Sequence, residues 1–234
     1  MNRFQKGLSA LVRPVFWPAL IRGVVPGIEH GAAFEHHVFS TVIDIGANKG
    51  QFAVFAQRRW PGARLICFEP LPGPRSRLYA VTGGCAEIHA CALGEGDSEA
   101  SMHLASRVDS SSLLPLGDTQ KRLFAMDETG QVTVPMRRLD AVLDGQDLVG
   151  PTLLKIDVQG FEYETLKGAV ALLDFINVIY VEASYVELYA GQKLANDVAA
   201  LLEVAGFTET GRFNVCVEGS QDIQADLLFE KMQS

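Results

Sequence analysis

From Thr41 onward, apolar strand-like runs alternate with helix-like runs, and this alternation limits the fold more than any other feature of the 234-residue chain. TVIDIG reads as a strand, followed by a helix from about Gln51 to Arg59. ARLICFE is a second strand, PGPRSRLYAVT the helix after it, and AEIHACAL a third strand. Over about residues 94–138 the rhythm breaks. SEASMHLA and GQVTVPMRR read there as short antiparallel strands around the polar loop RVDSSSLLPLGD. The alternation resumes with TLLKIDV, a helix from Glu162 to about Leu173, and the strand INVIYVEA. In LANDVAALLEVAG the apolar residues recur three and four apart up to Gly206, the pattern of a helix closed by glycine. FTETGRFNVC and QADLLFEK finish as two strands with no helix between them.

Strands that alternate with helices build a parallel sheet covered on both faces, and two strands without a helix between them form an antiparallel hairpin. The expected fold is therefore α/β: a doubly wound, mostly parallel seven-stranded sheet with a C-terminal antiparallel hairpin and a small β insert. Residues 1–38 read as an N-terminal helical extension and residues 39–234 as the domain. Ligands of such sheets bind beyond the carboxyl ends of the strands.

With 48% apolar residues the chain can bury a large core, and its formal charge of −8 argues against a dedicated nucleic-acid binder. Its cysteines, at 67, 85, 91 and 216, have no C-x-x-C spacing and read as free thiols of a reducing, cytoplasmic compartment. The first 28 residues carry Arg3, Lys6, Arg13 and Arg22 and no acid before Glu29. VFWPALI is too short to span a bilayer, and Arg13 interrupts any signal-peptide apolar core. The segment reads as a helix packed across the domain, with contact to an acidic membrane surface through Phe16 and Trp17 as the alternative.

The strand ends carry the chemistry. The first leaves through Asp44-Ile45-Gly46-Ala47-Asn48-Lys49-Gly50. A dinucleotide fingerprint would place glycines at 46, 48 and 51, where this chain has Gly, Asn and Gln, so a pyrophosphate lacks its cradle. The second strand ends in Glu69-Pro70, an acid placed to accept both hydroxyls of a ribose. Backbone near Cys91 and Ala92 is placed to meet an adenine edge. KIDVQGFE contributes Lys155, Asp157, Gln159 and Glu162, and a buried strand carries a lysine and an aspartate only where both have partners. Glu182 ends the next strand. Asp44, Glu69, Asp157 and Glu182 thus point four carboxylates to one edge of the sheet.

DIGANKGQF, CFEP, LLKIDVQGFEYETLKGA and IYVEAS, with the terminal GFTETG and QADLLF, resemble the FkbM-type class I S-adenosylmethionine-dependent methyltransferases over roughly residues 35–230. The resemblance implies a Rossmann-like methyltransferase with S-adenosylmethionine as cofactor and S-adenosylhomocysteine as product. Asp44, Gly46, Ala47, Asn48, Gly50 and Phe52 are then expected around the methionine end and Glu69 and Pro70 at the ribose. Cys91 and Ala92 are expected at the adenine and Asp157 beside the reacting methyl. The family more commonly has Glu where this chain has Gln159. Its members methylate hydroxyls of sugars, polyketides and other natural products, which makes the expected partner a small-molecule or glycan acceptor.

An alcohol is a weak nucleophile, so a base within hydrogen-bond reach is expected: Asp157 first, then Glu182, then His103 of the insert. The insert is expected to cover the mouth and to offer Arg107, Ser111 and Ser112, with Gln159, to the acceptor. His30, His36, His37 and His89 read as structural or solvated. Carboxylates 157, 162 and 182 form an alternative divalent-metal set, without an oxygen-rich loop motif behind them. The competing readings are an NAD-dependent oxidoreductase and a catalytically silent partner subunit with a cofactor fold.

Overall fold

The computed structural model describes residues 13–232. Arg3 and Lys6 of the basic N-terminal segment lie outside the described residues. In chain order the strands are β1 (Thr41–Ile45), β2 (Arg64–Phe68), β3 (Glu87–His89), β4 (Ala92–Leu93), β5 (Ser98–Ala105), β6 (Glu128–Arg137), β7 (Thr152–Ile156), β8 (Val178–Ser184), β9 (Phe207–Glu218) and β10 (Gln221–Lys231). The helices are α1 (Trp17–Ile21), α2 (Gln51–Arg59), α3 (Pro72–Thr82), α4 (Asp118–Phe124), α5 (Leu139–Val142), α6 (Glu162–Lys167) and α7 (Ala195–Val204).

Seven strands form one sheet in the order β3-β2-β1-β7-β8-β10-β9. The first five run parallel, and β10 inserts antiparallel between β8 and β9, as the missing helix before it requires. Order reverses between β1 and β7, and that break in the winding opens the crevice where such sheets bind ligands.

The period-two alternation of side chains divides the core. Ile43, Ile45, Leu154, Ile156, Ile179 and Val181 face one layer, packed with Leu166 of α6 and Leu202 of α7. Val42, Leu153, Val178 and Tyr180 face the other, under an aromatic group that includes Phe34, Phe52, Phe55 and Trp60. Asp44 and Lys155 are register partners on this second face. A charged pair therefore lies within the aromatic layer.

Elsewhere the chain departs from the expected elements. AEIHACAL is not one strand: β3 ends at His89, paired with Phe68, and Ala92-Leu93 turns away to pair with Met136 and Arg137 in a separate sheet of order β4-β6-β5. The insert sheet thus begins two residues before 94. Within the insert, α4 forms where no helix was expected. The expected helix over 162–173 is a short α6 followed by a 3-10 turn, Val170–Phe175.

Phe16, Ala19 and Val24 pack with Val54 of α2, so the described part of the N-terminal segment does lie across the domain. No helix among the described residues is long and apolar enough to cross a membrane. All four cysteines are free.

Candidate active site

A cavity of about 490 Å³ opens at the carboxyl ends of β1, β2, β7 and β8. That volume falls in the range of about 300–1,000 Å³ usual for small-molecule sites.

One end is built by the β1 corner. Gly46 has φ of 75°, and a methyl group on it would lie 1.9 Å from the Asp157 carbonyl oxygen. Only glycine lets the loops after β1 and β7 approach this closely. Asn48, also left-handed at φ 47°, turns its backbone N–H toward Glu69 Oε2 at 2.9 Å. The Leu71 N–H reaches Glu69 Oε1 at 2.7 Å. Glu69 is 6% exposed. Burial pushes its carboxyl up to about 7, against the pull of the Leu71 and Asn48 amides and of Arg75. A carboxylate has about four acceptor positions, so two remain for a vicinal diol.

Behind this end runs a row of register partners, Cys67, Asp44, Lys155 and Tyr180. The Lys155 ammonium sits 3.1 Å from Asp44 Oδ1, 3.6 Å from Asp157 Oδ2 and 5.7 Å from the Phe52 ring centre. Lys155 is 5% exposed and Asp44 fully buried. Burial favours a neutral amine, but the Asp44 and Asp157 carboxylates outweigh it and hold Lys155 charged. Asp44 therefore acts on the cavity through Lys155.

The rim between β7 and β8 is organised by Gln159, a non-glycine residue at φ 59°. Its Nε2 donates to Asp157 Oδ1 at 2.7 Å and to Glu182 Oε2 at 3.0 Å. Its Oε1 accepts from Tyr189 Oη at 2.7 Å, and its carbonyl oxygen accepts from Ser112 Oγ at 2.7 Å. Gln224 donates to Glu182 Oε1 at 3.0 Å. Burial first, then the Asp157, Asp226 and Glu162 charges, push the Glu182 carboxyl well above its usual range. Glu162 ties the loop itself, its Oε1 accepting from the backbone N–H of Val158 and of Gly160. Where a glutamate at 159 would add a third acid, the neutral amide holds two acids together. Among the described residues no group of three metal-binding side chains comes together.

The model of the methyltransferase FkbM domain matches residues 44–209. The chain belongs to the FkbM methyltransferase family. It is 32% identical over 195 residues to the 2-O-methyltransferase NoeI of Sinorhizobium fredii, covering 76% of each chain. To the 31-O-demethyl-FK506 methyltransferase FkbM of Streptomyces tacrolimicus it is 27% identical over 194 residues, 71% of this chain and 72% of that one. A crystal structure of a methyltransferase FkbM from Methylobacillus flagellatus shares the fold with a TM-score of 0.50 at 16% identity, over 82% of this chain and 44% of that chain. The chain thus spans less than half of that structure's length. As an FkbM-family protein it is an S-adenosylmethionine-dependent methyltransferase.

Most residues expected at the cofactor and acceptor sites line the cavity. Gly46, Ala47, Asn48, Phe52, Glu69 and Pro70 do so on the β1–β2 side, and Cys91 and Ala92 beside them. Asp157, Gln159 and Glu182 form the far rim, with Arg107 and Ser111 of the insert opposite. Four expected residues do not line it. Asp44 is covered by Lys155. Gly50 faces α3, where an added methyl would come within 2.8 Å of Val81 and 3.0 Å of Leu78. Ser112 is turned to the Gln159 carbonyl. His103 lies on the insert sheet, its Nδ1 2.9 Å from Glu128 Oε1.

Other lining residues had no place in the sequence reading of the FkbM site. Gly23–Pro26, Glu29 and His30 come from the N-terminal segment, and Asn214, Gln224 and Asp226 from β9 and β10. Tyr189, which joins Gln159 to the insert, was also missed. Asp226 alone carried a signal: an acid inside the apolar run QADLLF needs partners by the same rule that singled out Lys155 and Asp157.

Proposed function

We propose that this chain transfers a methyl group from S-adenosylmethionine to a hydroxyl of a saccharide or a related oxygen-rich natural product. The observation that carries the proposal is that Glu69, Asp157 and Glu182 open into one cavity, with Lys155 the buried cation behind them. The names of the relatives support oxygen as the acceptor atom, since one is a 2-O-methyltransferase and another acts on a 31-O-demethyl compound.

The residues suit this cofactor. Glu69 keeps acceptor capacity for two ribose hydroxyls. Leu71, Ala92, Leu93 and Met102 give the cavity an apolar flank for a purine. Asn48 Oδ1 is buried with no hydrogen-bond partner among the described residues, beside the corner expected to receive the methionine ammonium. The corner lacks the glycine pattern that a dinucleotide pyrophosphate needs.

When bound, the cofactor supplies a methyl group already activated on a positively charged sulfur. Asp157 accepts the acceptor's proton: Gln159 fixes its Oδ1, while Oδ2 lies 3.6 Å from the Lys155 ammonium. Glu182, with an amide on each oxygen, orients Gln159. The strand ends after β1 and β2 supply most of the cofactor side, with Met102 of the insert on its apolar flank, and Arg107 and Ser111 of the insert face the acceptor side.

Titration calorimetry with S-adenosylmethionine, S-adenosylhomocysteine and NAD tests the reading. Binding of both sulfur compounds and not of NAD is expected. Tight NAD binding without the sulfonium compound would overturn it.

A further inference from the structure

The described N-terminal segment has two apolar faces, and the domain covers one of them. Phe16, Ala19 and Val24 pack against Val54 of α2, with Val81 of α3 beside them. Phe16 is thus committed to the domain. Trp17 and Ile21 stand one helical turn apart on the other side of α1, where side chains four residues apart share a face. Ile21 is 84% exposed, Trp17 51%, and Val15, in the 3-10 turn before the helix, 46%. Single exposed apolar residues are ordinary on a protein surface, but three neighbours within one short segment form a patch.

The charge around this patch is one-sided. The chain carries −8 overall, yet residues 13–28, α2 and α3 contain no acid. Arg13 and Arg22 bracket the patch. Arg77 of α3 adjoins it, with Nη1 3.4 Å from the Arg22 carbonyl oxygen. Arg22 itself donates to the Pro18 carbonyl oxygen at 2.9 Å. Among the described residues none of these three arginines reaches a carboxylate, whereas Arg64, Arg122, Arg138 and Arg212 each pair with one.

Arginines without carboxylates beside exposed aliphatic and indole groups match a surface that is anionic outside and apolar beneath. A bilayer has those two layers in that order. Tryptophan favours the boundary between headgroups and acyl chains, and basic side chains favour the anionic headgroups. A nucleic acid would engage the arginines and leave Ile21 in water.

We propose that α1 docks the protein on an anionic phospholipid bilayer, with Trp17 and Ile21 at the acyl boundary and Arg13, Arg22 and Arg77 on the phosphates. The docked face adjoins the cavity, because Gly23–Pro26, which follow α1 after Arg22, form part of the cavity wall. Docking of this kind does not depend on the methyl-transfer reading, and its test needs neither cofactor nor acceptor.

The full chain is mixed with vesicles of phosphatidylcholine alone and of phosphatidylcholine with an equal part of phosphatidylglycerol, and sedimentation reads the bound fraction. Binding to the mixed vesicles that weakens with salt is expected, with little binding to phosphatidylcholine alone. Trp17 and Trp60 are the two tryptophans of the chain, and Trp60 is buried, so a blue shift of the fluorescence reports Trp17 entering the apolar layer. Ile21→Ser weakens vesicle binding by about tenfold or more, the value of burying a large aliphatic side chain, and Ile21→Leu keeps it. The double variant Arg13→Glu with Arg22→Glu weakens it by about 25-fold, at about fivefold for each basic group near an anionic surface. Thermal unfolding at the wild-type temperature reports that each variant is folded. Absence of binding to the mixed vesicles overturns the docking, and so does equal binding by wild type and variants. Binding by charge alone, with no blue shift and no loss in Ile21→Ser, also overturns it and assigns the arginines to a soluble polyanion instead.

Discussion

The two ends of the cavity are built by different means. Around Glu69 the walls are strand ends held in register: β1 pairs β2 on one side and β7 on the other, so Asp44, Lys155 and Glu69 are placed by the sheet itself. Around His30 the walls come from residues 29–30 and 214–226, nearly the whole length of the chain apart, joined through the Tyr180 hydroxyl. The first end is fixed by backbone hydrogen bonds between β1, β2 and β7. The second depends on one segment packing against the β9–β10 edge. Substitutions should separate the two.

The largest effect is expected where the two ends meet. Asp157→Asn keeps the hydrogen bond from Gln159 but removes the proton acceptor, and kcat falls by about 10²–10⁴-fold in a single-turnover methyl-transfer assay. Activity within a few-fold of wild type would remove Asp157 from that role and shift the comparison toward Glu182.

Lys155→Ala comes next. It leaves Asp44 buried without its cation and costs about 3–5 kcal/mol in urea unfolding. The double variant Asp44→Leu with Lys155→Met removes both charges and recovers most of that loss. A single-variant cost below about 1 kcal/mol would mean the pair behaves as a surface bridge and not as the buried support of the cofactor end.

The same contrast decides what the sequence displays. The bounds of α2 and α3 and the carboxylates at 44, 69, 157 and 182 are legible because period-two and period-3.6 patterns are local, and a charge at the end of an apolar run stands out. His30 was read as structural or solvated because nothing around it in sequence signals Tyr180 or Asp226, 150 and 196 positions away. Gln159 was visible only as a lost charge, whereas its left-handed backbone and four hydrogen bonds make it the hub of the rim. The break after His89 was hidden because AEIHACAL carries no glycine or proline to mark it, and only competition between two sheets divides it. Gly50 looked like a cofactor glycine. It is a helix-packing one.

Glu69→Gln sharpens the cofactor end alone. Replacing a carboxylate expected to accept from two ribose hydroxyls removes charge-assisted hydrogen bonds worth about 1.5–3 kcal/mol, so the Kd of S-adenosylhomocysteine rises about 10–150-fold. Among the described residues neither the insert nor His30 makes a hydrogen bond to Glu69, so the rim at Asp157 and Glu182 is left as it was.

The smallest effect is a pH dependence whose sign differs between folding and binding. Glu69 titrates at about 7 in the folded chain, with Arg75 and Asp44 the charges near it, against an ordinary value of 4.5. Between these limits the folded state binds the proton more readily than the unfolded chain. Without cofactor, stability therefore increases as pH falls from 7 toward 4.5. Glu162, also raised to about 7 by burial, adds to that slope. Cofactor affinity runs the other way. The ionised Glu69 is the stronger acceptor for ribose hydroxyls, so affinity declines below pH 7, by at most about tenfold per pH unit for one group. Calorimetry of S-adenosylhomocysteine binding from pH 5 to 8 reads the second slope, and thermal unfolding reads the first. In Glu69→Gln the binding slope flattens, while the part of the stability slope due to Glu162 persists. If both slopes survive the substitution, the proton is taken up elsewhere, and Glu69 is not the group that meets the ribose.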